Sequence, residues 1–312
     1  MVKKIILDCD PGHDDALALT MAVASPKIEL LAVTTSAGNQ TPDKTLNNAM
    51  RMLTLLHRED IPVAQGNQTP LVKPLETAPE VHGKTGLDGA DLPEPDFAVQ
   101  EIPAIELIAK TLRESSDKVT LVVTGPMTNA ALFLRVYPDL AKEKIDQIVF
   151  MGGAMGLGNW RPSVEFNIFV DPEAAKIVMN FGIPLVMAPL NVTHKAQILK
   201  NEIEEIGKIN NPVAHAFYGL LNFFEQYHEN PKWGLKGAPL HDPCTIAWLI
   251  DPEMFETDWM NVDVETQGDL TRGETVCDYY LLTGKPANTE VLLGIDREKF
   301  IKLIMDTMKS FN

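Results

Sequence analysis

Short apolar runs alternate along the chain with longer stretches in which apolar residues recur at helical spacing. The apolar runs predict buried strands at residues 4–7, 29–35, 118–124, 147–151, 184–188 and 259–264. The helical spacing predicts helices at residues 15–24, 42–57, 102–115, 127–136, 172–181, 213–227, 243–250 and 297–311. This alternation indicates an α/β fold with a mostly parallel, Rossmann-like central sheet flanked by helices. No repeat, low-complexity tract or linker interrupts the pattern, so we expect a single domain over residues 1–312.

Polar residues follow several of the predicted strands, and in this fold class ligands bind beyond the carboxyl ends of the strands. They are Asp8 and Asp10, Asn39, Thr124, Glu165 and Asn167 in a segment expected to be extended, and His241 and Asp242 before a helix. Ordinary roles exist for such residues: a turn for an asparagine, an N-cap for Asp242, solvated surface for Glu165 and Asn167, or a structural role for a lone histidine. Their convergence at the C-terminal ends of the strands favours a functional site there.

Two long segments rich in Gly and Pro, residues 65–95 and 157–163, separate predicted elements. Loops of this length in a compact domain are often functional. His82 lies in the first segment, and we hypothesise that this loop closes over a ligand as a lid.

Four carboxylates, Asp8, Asp10, Asp14 and Asp15, fall within eight positions at the first strand-to-helix turn. One aspartate near a helix N-terminus is ordinarily a cap or a dipole partner, which explains one or two of the four. The remaining negative charge repels itself unless a cation neutralises it. Oxygen ligands at this density are typical of sites for hard divalent ions such as Ca²⁺ or Mg²⁺.

A calcium site needs six to eight oxygen ligands from side chains, carbonyls and water. Asp10, Asp15 and Asp242 offer carboxylates, and the Thr124 carbonyl is available at its strand end. An EF-hand is excluded, because Leu19 stands where that loop needs a bidentate acid.

Amides and carboxylates around such an ion match a ligand that carries several hydroxyl groups, as a sugar does. The candidates are Asn39, Asn159, Glu165 and Asn167. A cation in their midst orients the sugar and acidifies a water beside Asp10.

The formal net charge of −16 excludes nucleic acids and anionic membranes as favoured partners, because both are repelled by an acidic surface. The hydrophobic content of 45% with 22% charged residues is ordinary for a globular protein. Cys9, Cys244 and Cys277 have no metal-binding spacing, and neither a signal-peptide core nor a membrane span is evident. We therefore expect a cytoplasmic protein with a small-molecule ligand.

The motifs together resemble the inosine-uridine-preferring nucleoside hydrolase family over essentially the whole chain. They are DCDPGHDDA at residues 8–16, Asn39, VHG at 81–83, TGPMTN at 124–129, MGG at 151–153, EFN at 165–167 with DPEA at 171–174, and HDPC at 241–244. The resemblance implies hydrolysis of the N-glycosidic bond of ribonucleosides to free base and ribose. It also implies a tightly bound Ca²⁺ and a homo-oligomer, a tetramer or a dimer.

The resemblance assigns roles to the residues that match these motifs. It implies that Asp10, Asp15, the Thr124 carbonyl and Asp242 hold Ca²⁺, and that Asp10 takes a proton from a Ca²⁺-bound water that attacks the anomeric carbon. The ribose contacts that it implies are Asp14 and Asn167 at the 2′-hydroxyl, Asn39 and Asp242 near the 3′ side, and Asn159 and Glu165 at the 5′-hydroxyl. No second catalytic acid is evident, so His241 and His82 are candidate proton donors to the departing base.

The base is identified less directly than the sugar. Phe224, Tyr227 and His228 share a face of a predicted helix and are expected to line a base pocket. The following segment, residues 231–240, resembles the bacterial pyrimidine-specific branch, which favours uridine and cytidine over inosine. A purine-preferring or non-specific nucleoside hydrolase is the alternative.

Two rivals from outside this family stay open. The Asp8 and Asp10 pair after a strand is also typical of haloacid-dehalogenase-like phosphatases, although these need a lysine for the phosphate. A non-catalytic nucleoside or sugar receptor explains the amide ring but gives no reason for four crowded carboxylates.

Overall fold

The computed structural model describes residues 2–228 and 231–311. Its strands are β1 (Lys3–Cys9), β2 (Ile28–Thr35), β3 (Val63–Gln65), β4 (Val119–Val123), β5 (Ile145–Met151), β6 (Leu185–Ala188), β7 (Gln197–Ile198), β8 (Ala238–Pro239), β9 (Phe255–Met260), β10 (Val262–Val264), β11 (Thr275–Cys277) and β12 (Thr289–Ile295). Its helices are α1 (His13–Ala24), α2 (Pro42–Leu55), α3 (Pro79–His82), α4 (Ala104–Glu114), α5 (Thr128–Val136), α6 (Pro138–Lys144), α7 (Phe166–Val170), α8 (Pro172–Met179), α9 (Leu190–Thr193), α10 (Lys200–Ile206), α11 (Pro212–His228), α12 (Pro243–Ile250) and α13 (Arg297–Lys309). Short 3₁₀ turns lie at Pro231–Trp233 and Pro252–Met254.

Within the described residues, the central sheet has eight strands in the order β3-β2-β1-β4-β5-β6-β12-β9. Neighbouring strands are parallel except for the edge strand β9, which is antiparallel to β12. The strand order reverses between β1 and β4, so the connections that follow these two strands run to opposite sides. This leaves a crevice beyond their carboxyl ends, where ligands bind in open α/β sheets. The predicted α/β fold class is confirmed.

Helices cover both faces of the sheet because strand side chains alternate between them. On β1, Ile5 and Leu7 pack into the core formed with α1, α2, α11, α12 and α13. Ile6, between them, packs into the opposite core with α4, α5 and α8. A strand buried on both faces explains why β1 reads as a continuous apolar run.

The sequence-based elements differ from the structure at the C-terminal side of the sheet. The single strand predicted at 259–264 is wrong: residues 255–260 form β9 in the central sheet, whereas 262–264 form β10, which pairs with β11 in a separate two-stranded sheet. Strand β12, between β6 and β9, was not predicted, and neither was the short strand β3. Five helices were also missed, namely α3, α6, α7, α9 and α10.

No helix in the described parts of the chain is long and apolar enough to cross a lipid bilayer.

Candidate active site

The crevice at the ends of β1 and β4 opens into a partly enclosed cavity. Twelve predicted site residues line it: Asp14, Asn39, His82, Thr124, Asn159, Glu165, Asn167, Phe224, Tyr227, His228, His241 and Asp242. The other two, Asp10 and Asp15, are hydrogen-bonded to the lining residues Asn39 and Thr124. The structure therefore brings every predicted site residue to one place.

Asp10 is fully buried at the end of β1. Its Oδ2 accepts a hydrogen bond of 2.6 Å from the backbone N–H of Asn39, at the end of β2. Its Oδ1 has no hydrogen-bond partner among the described residues. A buried carboxylate oxygen without a donor is costly, and it indicates a ligand that the protein atoms do not supply.

Asp15 connects α1 to the ends of β2 and β4, the strands on either side of β1. Its Oδ2 accepts from the backbone N–H of Gly12 at 3.0 Å, which is a capping contact at the start of α1. The same oxygen accepts from the Asn39 amide at 3.0 Å, and Oδ1 accepts from the Thr124 hydroxyl at 2.8 Å. The ordinary helix-cap explanation thus applies to Asp15, but it accounts for only part of its contacts.

Three carboxylates meet beside Asp10. Oxygens of Asp14, Asp15 and Asp242 all lie within 4.8 Å of one another, and the three residues are buried. Asp242 stands at the N-cap position of α12, but its side chain makes no capping hydrogen bond. The N-cap alternative for Asp242 is therefore wrong, and its carboxylate is directed to the site.

Burial acts on all of these acids in the same direction. It raises the pKa of Asp14 to about 7, with a further contribution from the charge of Asp15. It raises the pKa of Asp10 and of Asp242 well above the ordinary value, and the neighbouring carboxylates add to the shift. None of the salt bridges in the described residues reaches these four acids. The cluster therefore needs either protons or a cation to neutralise it.

Asp8 has a different role from the acids that follow it. It is fully buried, and its Oδ1 accepts from the Thr34 hydroxyl at 2.7 Å and from the Asn129 amide at 2.8 Å. Asn129 also donates to the Thr35 carbonyl. Asp8 therefore joins β1, β2 and the start of α5 and does not line the cavity.

We define the floor of the cavity as Asp14, Asn39, Thr124, Asn167 and Asp242. Its two side-chain amides, those of Asn39 and Asn167, have fixed orientations. The Asn39 Nδ2 donates to the Asp10 carbonyl and to Asp15, and the Asn167 Nδ2 donates to the Thr124 carbonyl at 2.6 Å. With both side-chain nitrogens turned into the protein, each amide has its Oδ1 left for a ligand. The Thr124 carbonyl keeps a second lone pair after accepting from Asn167.

Glu165 and Asn167 are buried, so solvated surface is excluded for them. The prediction that residues 163–167 are extended is wrong, because α7 begins at Phe166 with Glu165 as its N-cap. The Glu165 carboxylate accepts from the backbone N–H groups of Asn167 at 2.9 Å, Ile168 at 3.2 Å and Gly153 at 3.0 Å. Burial nevertheless raises its pKa to about 7.

Aromatic side chains from the C-terminal half of α11 form one wall of the cavity. We define this aromatic wall as Phe224, Tyr227, His228 and Trp233, whose rings pack edge to face on one another. Trp233 was not among the predicted site residues, and neither was Trp160, which packs edge to face on Phe166 at 4.8 Å. Both tryptophans stand next to predicted site segments, and this proximity was the available signal for them.

The two candidate proton donors have different surroundings. The His241 Nδ1 lies 2.8 Å from the Thr193 hydroxyl, whereas the His82 Nδ1 lies 3.1 Å from the Nδ1 of His13. Burial lowers the pKa of His82 and of His241 well below the ordinary value, so either ring must first take up a proton from solvent before it can pass one to a departing base.

The segment 65–95 is tied to the rest of the protein at several points. The Gln40 amide donates to the Gly83 carbonyl at 2.7 Å, and the Asn48 amide donates to the Thr85 carbonyl at 3.0 Å. These bonds place His82 against the cavity in the structure described here. Closure of the segment as a lid remains a prediction.

Proteins of known structure share this architecture. The purine-preferring ribonucleoside hydrolase from Gardnerella vaginalis superposes on the chain with a TM-score of 0.92 at 30% identity, covering 99% of both chains. Two proteins named pyrimidine-specific ribonucleoside hydrolase RihA are more similar in sequence. That of Enterobacter sp. (strain 638) is 59% identical over 312 residues, covering 100% of this chain and 99% of its own length. That of Salmonella schwarzengrund (strain CVM19633) is 59% identical over 311 residues, covering 100% of both.

The fold and the site thus define a nucleoside hydrolase, an enzyme that cleaves the N-glycosidic bond of ribonucleosides. The family model for inosine-uridine preferring nucleoside hydrolase matches residues 5–302. The chain belongs to that family, and the resemblance seen in its motifs is confirmed.

The position of Asp10 can be tested through Gly38. A Cβ at Gly38 would lie 2.1 Å from the Asp10 Oδ2 and 2.8 Å from the Pro126 ring, so a Gly38→Ala variant has to displace the Asp10 carboxylate. We expect nucleoside hydrolysis to fall by about 10²-fold, as misplacement of a reacting group by 1 Å does. Initial rates and circular dichroism would measure activity and folding. Glu204→Ala is the control, because Glu204 is exposed on α10 and does not line the cavity. Equal activity of the two variants would contradict the placement of Asp10.

Proposed function

We propose that this nucleoside hydrolase depends on Ca²⁺ and prefers uridine and cytidine, releasing free pyrimidine and ribose in nucleoside catabolism. The observation that carries the proposal is the cluster of Asp14, Asp15 and Asp242 in a cavity with an aromatic wall. Beside the cluster lies Asp10, whose Oδ1 has no hydrogen-bond partner among the described residues.

The donor set fits a hard divalent cation. Every candidate ligand offers oxygen, which Ca²⁺ prefers, and the acids have no basic partner in the described residues. The proposed ligands are Asp10, Asp15, the Thr124 carbonyl and Asp242. Asp14 belongs to the same cluster in the structure and is a further candidate ligand, besides its proposed contact with the ribose. The ion, when bound, supplies the positive charge that binds ribose hydroxyls and lowers the pKa of a water.

In the proposed reaction, water adds to the anomeric carbon while the bond between that carbon and the base nitrogen breaks. The unpartnered Oδ1 of Asp10 accepts the proton that the attacking water loses. The sugar develops positive charge in the transition state, and the oxygens of the floor stabilise it. The departing base takes up a proton, for which His241 and His82 are the candidate donors.

The ribose is proposed to lie on the floor, where acceptor oxygens match its hydroxyl donors. Asp14 and Asn167 bind the 2′-hydroxyl, and Asn39 and Asp242 lie near the 3′ side. Asn159 and Glu165 are assigned to the 5′-hydroxyl; the Asn159 Oδ1 already accepts from the Phe166 N–H, so its amide NH₂ group faces the ligand.

The preference for pyrimidines is supported by the relatives with 59% identity over the whole chain, which are named as pyrimidine-specific. The purine-preferring enzyme of known structure is only 30% identical. The base is proposed to stack within the aromatic wall, Phe224, Tyr227, His228 and Trp233.

The cavity is unsuited to a phosphate. No lysine or arginine is among the described residues that line it, and floor oxygens that accept hydrogen bonds repel an anion. Asp8, the nucleophile that a haloacid-dehalogenase-like phosphatase requires, is held by Thr34 and Asn129 outside the cavity.

Ion removal and substrate choice can be measured together. We expect reducing sugar to be released from uridine and cytidine faster than from inosine. Treatment with a chelator should abolish release and lower the melting temperature, because the buried carboxylates then repel one another without compensation. Excess Ca²⁺ should restore both the activity and the melting temperature.

Full activity in protein shown by elemental analysis to be metal-free would contradict the proposed dependence on Ca²⁺. Faster release from inosine would contradict the proposed base preference. Saturable uridine binding without turnover would favour a receptor.

The role of Asp10 as base can be separated from its role as ligand. We expect Asp10→Asn to lower kcat by roughly 10²–10⁴-fold, the usual contribution of acid–base catalysis, and by more if the ion is also lost. Asp8→Asn is the matched control, since it removes a buried acid from the same strand outside the cavity. Steady-state rates and bound Ca²⁺ would be measured for both variants. Comparable kcat values in the two would exclude Asp10 as the base.

A homo-oligomer, dimer or tetramer, is proposed from an exposed apolar turn. Tyr280 and Leu282 are 79% and 83% exposed, and Tyr279 and Leu281 are also exposed. The turn is ordered: the Asp278 carboxylate accepts from the Leu282 N–H at 2.6 Å, and Leu281 adopts a φ of 56°. Four apolar side chains held in water at the cost of a strained backbone indicate a surface that another subunit covers.

Sedimentation can test this surface. We expect the wild-type protein to have a mass that is a multiple of 34.5 kDa and Leu282→Glu to dissociate towards the monomer, because a charge is then buried in the interface. Leu270→Glu is the control, since Leu270 is equally exposed at the other end of the β10–β11 hairpin. A monomeric wild-type protein would refute the proposal.

The cytoplasm is the proposed compartment. Cys9, Cys244 and Cys277 are all free thiols, as is usual where the environment is reducing.

A further inference from the structure

His82, a cavity residue, faces a second histidine that lies outside the cavity lining. The Nδ1 atoms of His13 and His82 are 3.1 Å apart, and the two rings are inclined by only 18°. The ring centroids are 5.4 Å apart. This distance exceeds the separation of the two nitrogens by about the sum of the two centroid-to-nitrogen distances, so the centroids and the nitrogens lie nearly on one line. The rings therefore meet edge to edge in nearly one plane, which is the geometry of an N–H···N hydrogen bond.

The other nitrogen of His13 defines where the protons are. The His13 Nε2 lies 2.8 Å from the backbone carbonyl of Asp88. A carbonyl only accepts, so the hydrogen of this bond belongs to the His13 Nε2. The Asp88 carboxylate is directed elsewhere, accepting from the backbone N–H groups of Lys84 and Thr85 at 2.9 and 3.0 Å.

His13 is buried between the rings of Phe223 and Phe224, and no carboxylate makes a hydrogen bond to it in the described residues. A buried imidazole to which no carboxylate is hydrogen-bonded is neutral. A neutral ring with hydrogen on Nε2 has a lone pair on Nδ1. The His82 Nδ1 must then carry a hydrogen, since two lone pairs would otherwise face each other at 3.1 Å.

One contact favours the opposite tautomer. The backbone N–H of His13 lies 3.4 Å from the same His82 Nδ1, which would have to accept. This contact is longer than the ring-to-ring contact and outside the usual range for N–H hydrogen bonds. The ring-to-ring bond therefore decides the tautomer.

His82 is held tightly in this orientation. Its ring lies on Gly12, where an added Cβ would be 2.5 Å from Nδ1, and packs beside Phe224 at 5.6 Å between centroids. The Nε2 has no hydrogen-bond partner in the described part of the chain, and His82 lines the cavity. With hydrogen fixed on Nδ1, the atom left for a ligand is an Nε2 that accepts.

We propose that His13 is a positioning residue that fixes the tautomer of His82, so that His82 presents an unprotonated Nε2 to the nucleobase. The inference rests on the proposed function, because it assigns the ligand of that atom as the N3–H of uridine or the 4-amino group of cytidine. It also separates the two candidate donors. A His82 Nε2 without a hydrogen cannot protonate the departing base, which leaves His241, whose Nδ1 lies 2.8 Å from the Thr193 hydroxyl, as the remaining candidate.

The tautomer can be observed directly in the wild-type enzyme with bound Ca²⁺. Two-bond ¹⁵N–¹H NMR of protein labelled at histidine distinguishes protonated from unprotonated ring nitrogens, and a His82→Gln variant assigns the signals. We expect His82 to carry hydrogen on Nδ1 and a lone pair on Nε2. The reverse assignment would overturn the proposal. This readout requires no turnover, so a failure to hydrolyse uridine or cytidine would count against the proposed function alone.

Two nearly isosteric variants test the role of His13. His13→Asn keeps an acceptor oxygen near the position of Nδ1, whereas His13→Leu removes it. We expect His13→Leu to let His82 populate both tautomers and to lower kcat/KM for uridine and cytidine by about 10–100-fold, as loss of the outer partner of a metal-bound histidine does. His13→Asn should retain the tautomer and most of the activity. Inhibition by free ribose, which has no base, should be equal in both variants. Wild-type tautomer and kinetics in His13→Leu would refute the proposal.

Discussion

The burial of negative charge at the ends of β1 and β4 is the constraint on which the rest of the site depends. Asp10, Asp14, Asp15 and Asp242 are withdrawn from water without a basic partner in the described residues. An isolated ionised carboxylate in such surroundings is so costly that either protons or a cation must compensate it. The sheet brings the acids together from opposite ends of the sequence, because β1 and the start of α12 both reach the crevice where the strand order reverses.

The hydrogen bonds around these acids determine what kind of ligand can follow. The donor groups of Asn39, Asn167 and Thr124 are turned into the protein, where they hold Asp15 and the backbone. The atoms left for the cavity are oxygens that accept. A ligand that fits this floor must bring hydrogens or positive charge, which describes hydroxyl groups and a cation and excludes a phosphate. The same bonds that make the site rigid thus give it selectivity.

The sequence predicted the site better than the elements that carry some of it. Strand-end acids and amides were predictable, because carboxyl ends of parallel strands share one rim. Glu165 was correctly predicted to lie in the site, but the backbone around it was predicted to be extended. A glutamate at a helix N-cap and a glutamate in an extended segment leave similar local signals in the sequence. Strand β12 lies in the central sheet, but its position depends on pairing with β6 and β9, and these contacts are distant in sequence. The partnership of His13 and His82 joins two segments whose approach depends on folding of the loop between them.

The floor and the aromatic wall are built from different parts of the chain, and this division explains how one fold accommodates different bases. The floor is fixed by β1, β2, β4 and the starts of their following helices, which the whole sheet holds in register. The wall comes from the end of α11 and the turn at Pro231–Trp233, and α11 packs against α1, α10 and α13 rather than belonging to the sheet. A change at Tyr227 or Trp233 therefore touches neither the carboxylates nor the amides directly, whereas Phe224 packs against His13 and His82. A purine-preferring enzyme with a TM-score of 0.92 but 30% identity is what such a separation allows. Under the proposed function, base preference would belong to the wall and to His82, and cleavage to the floor and Asp10.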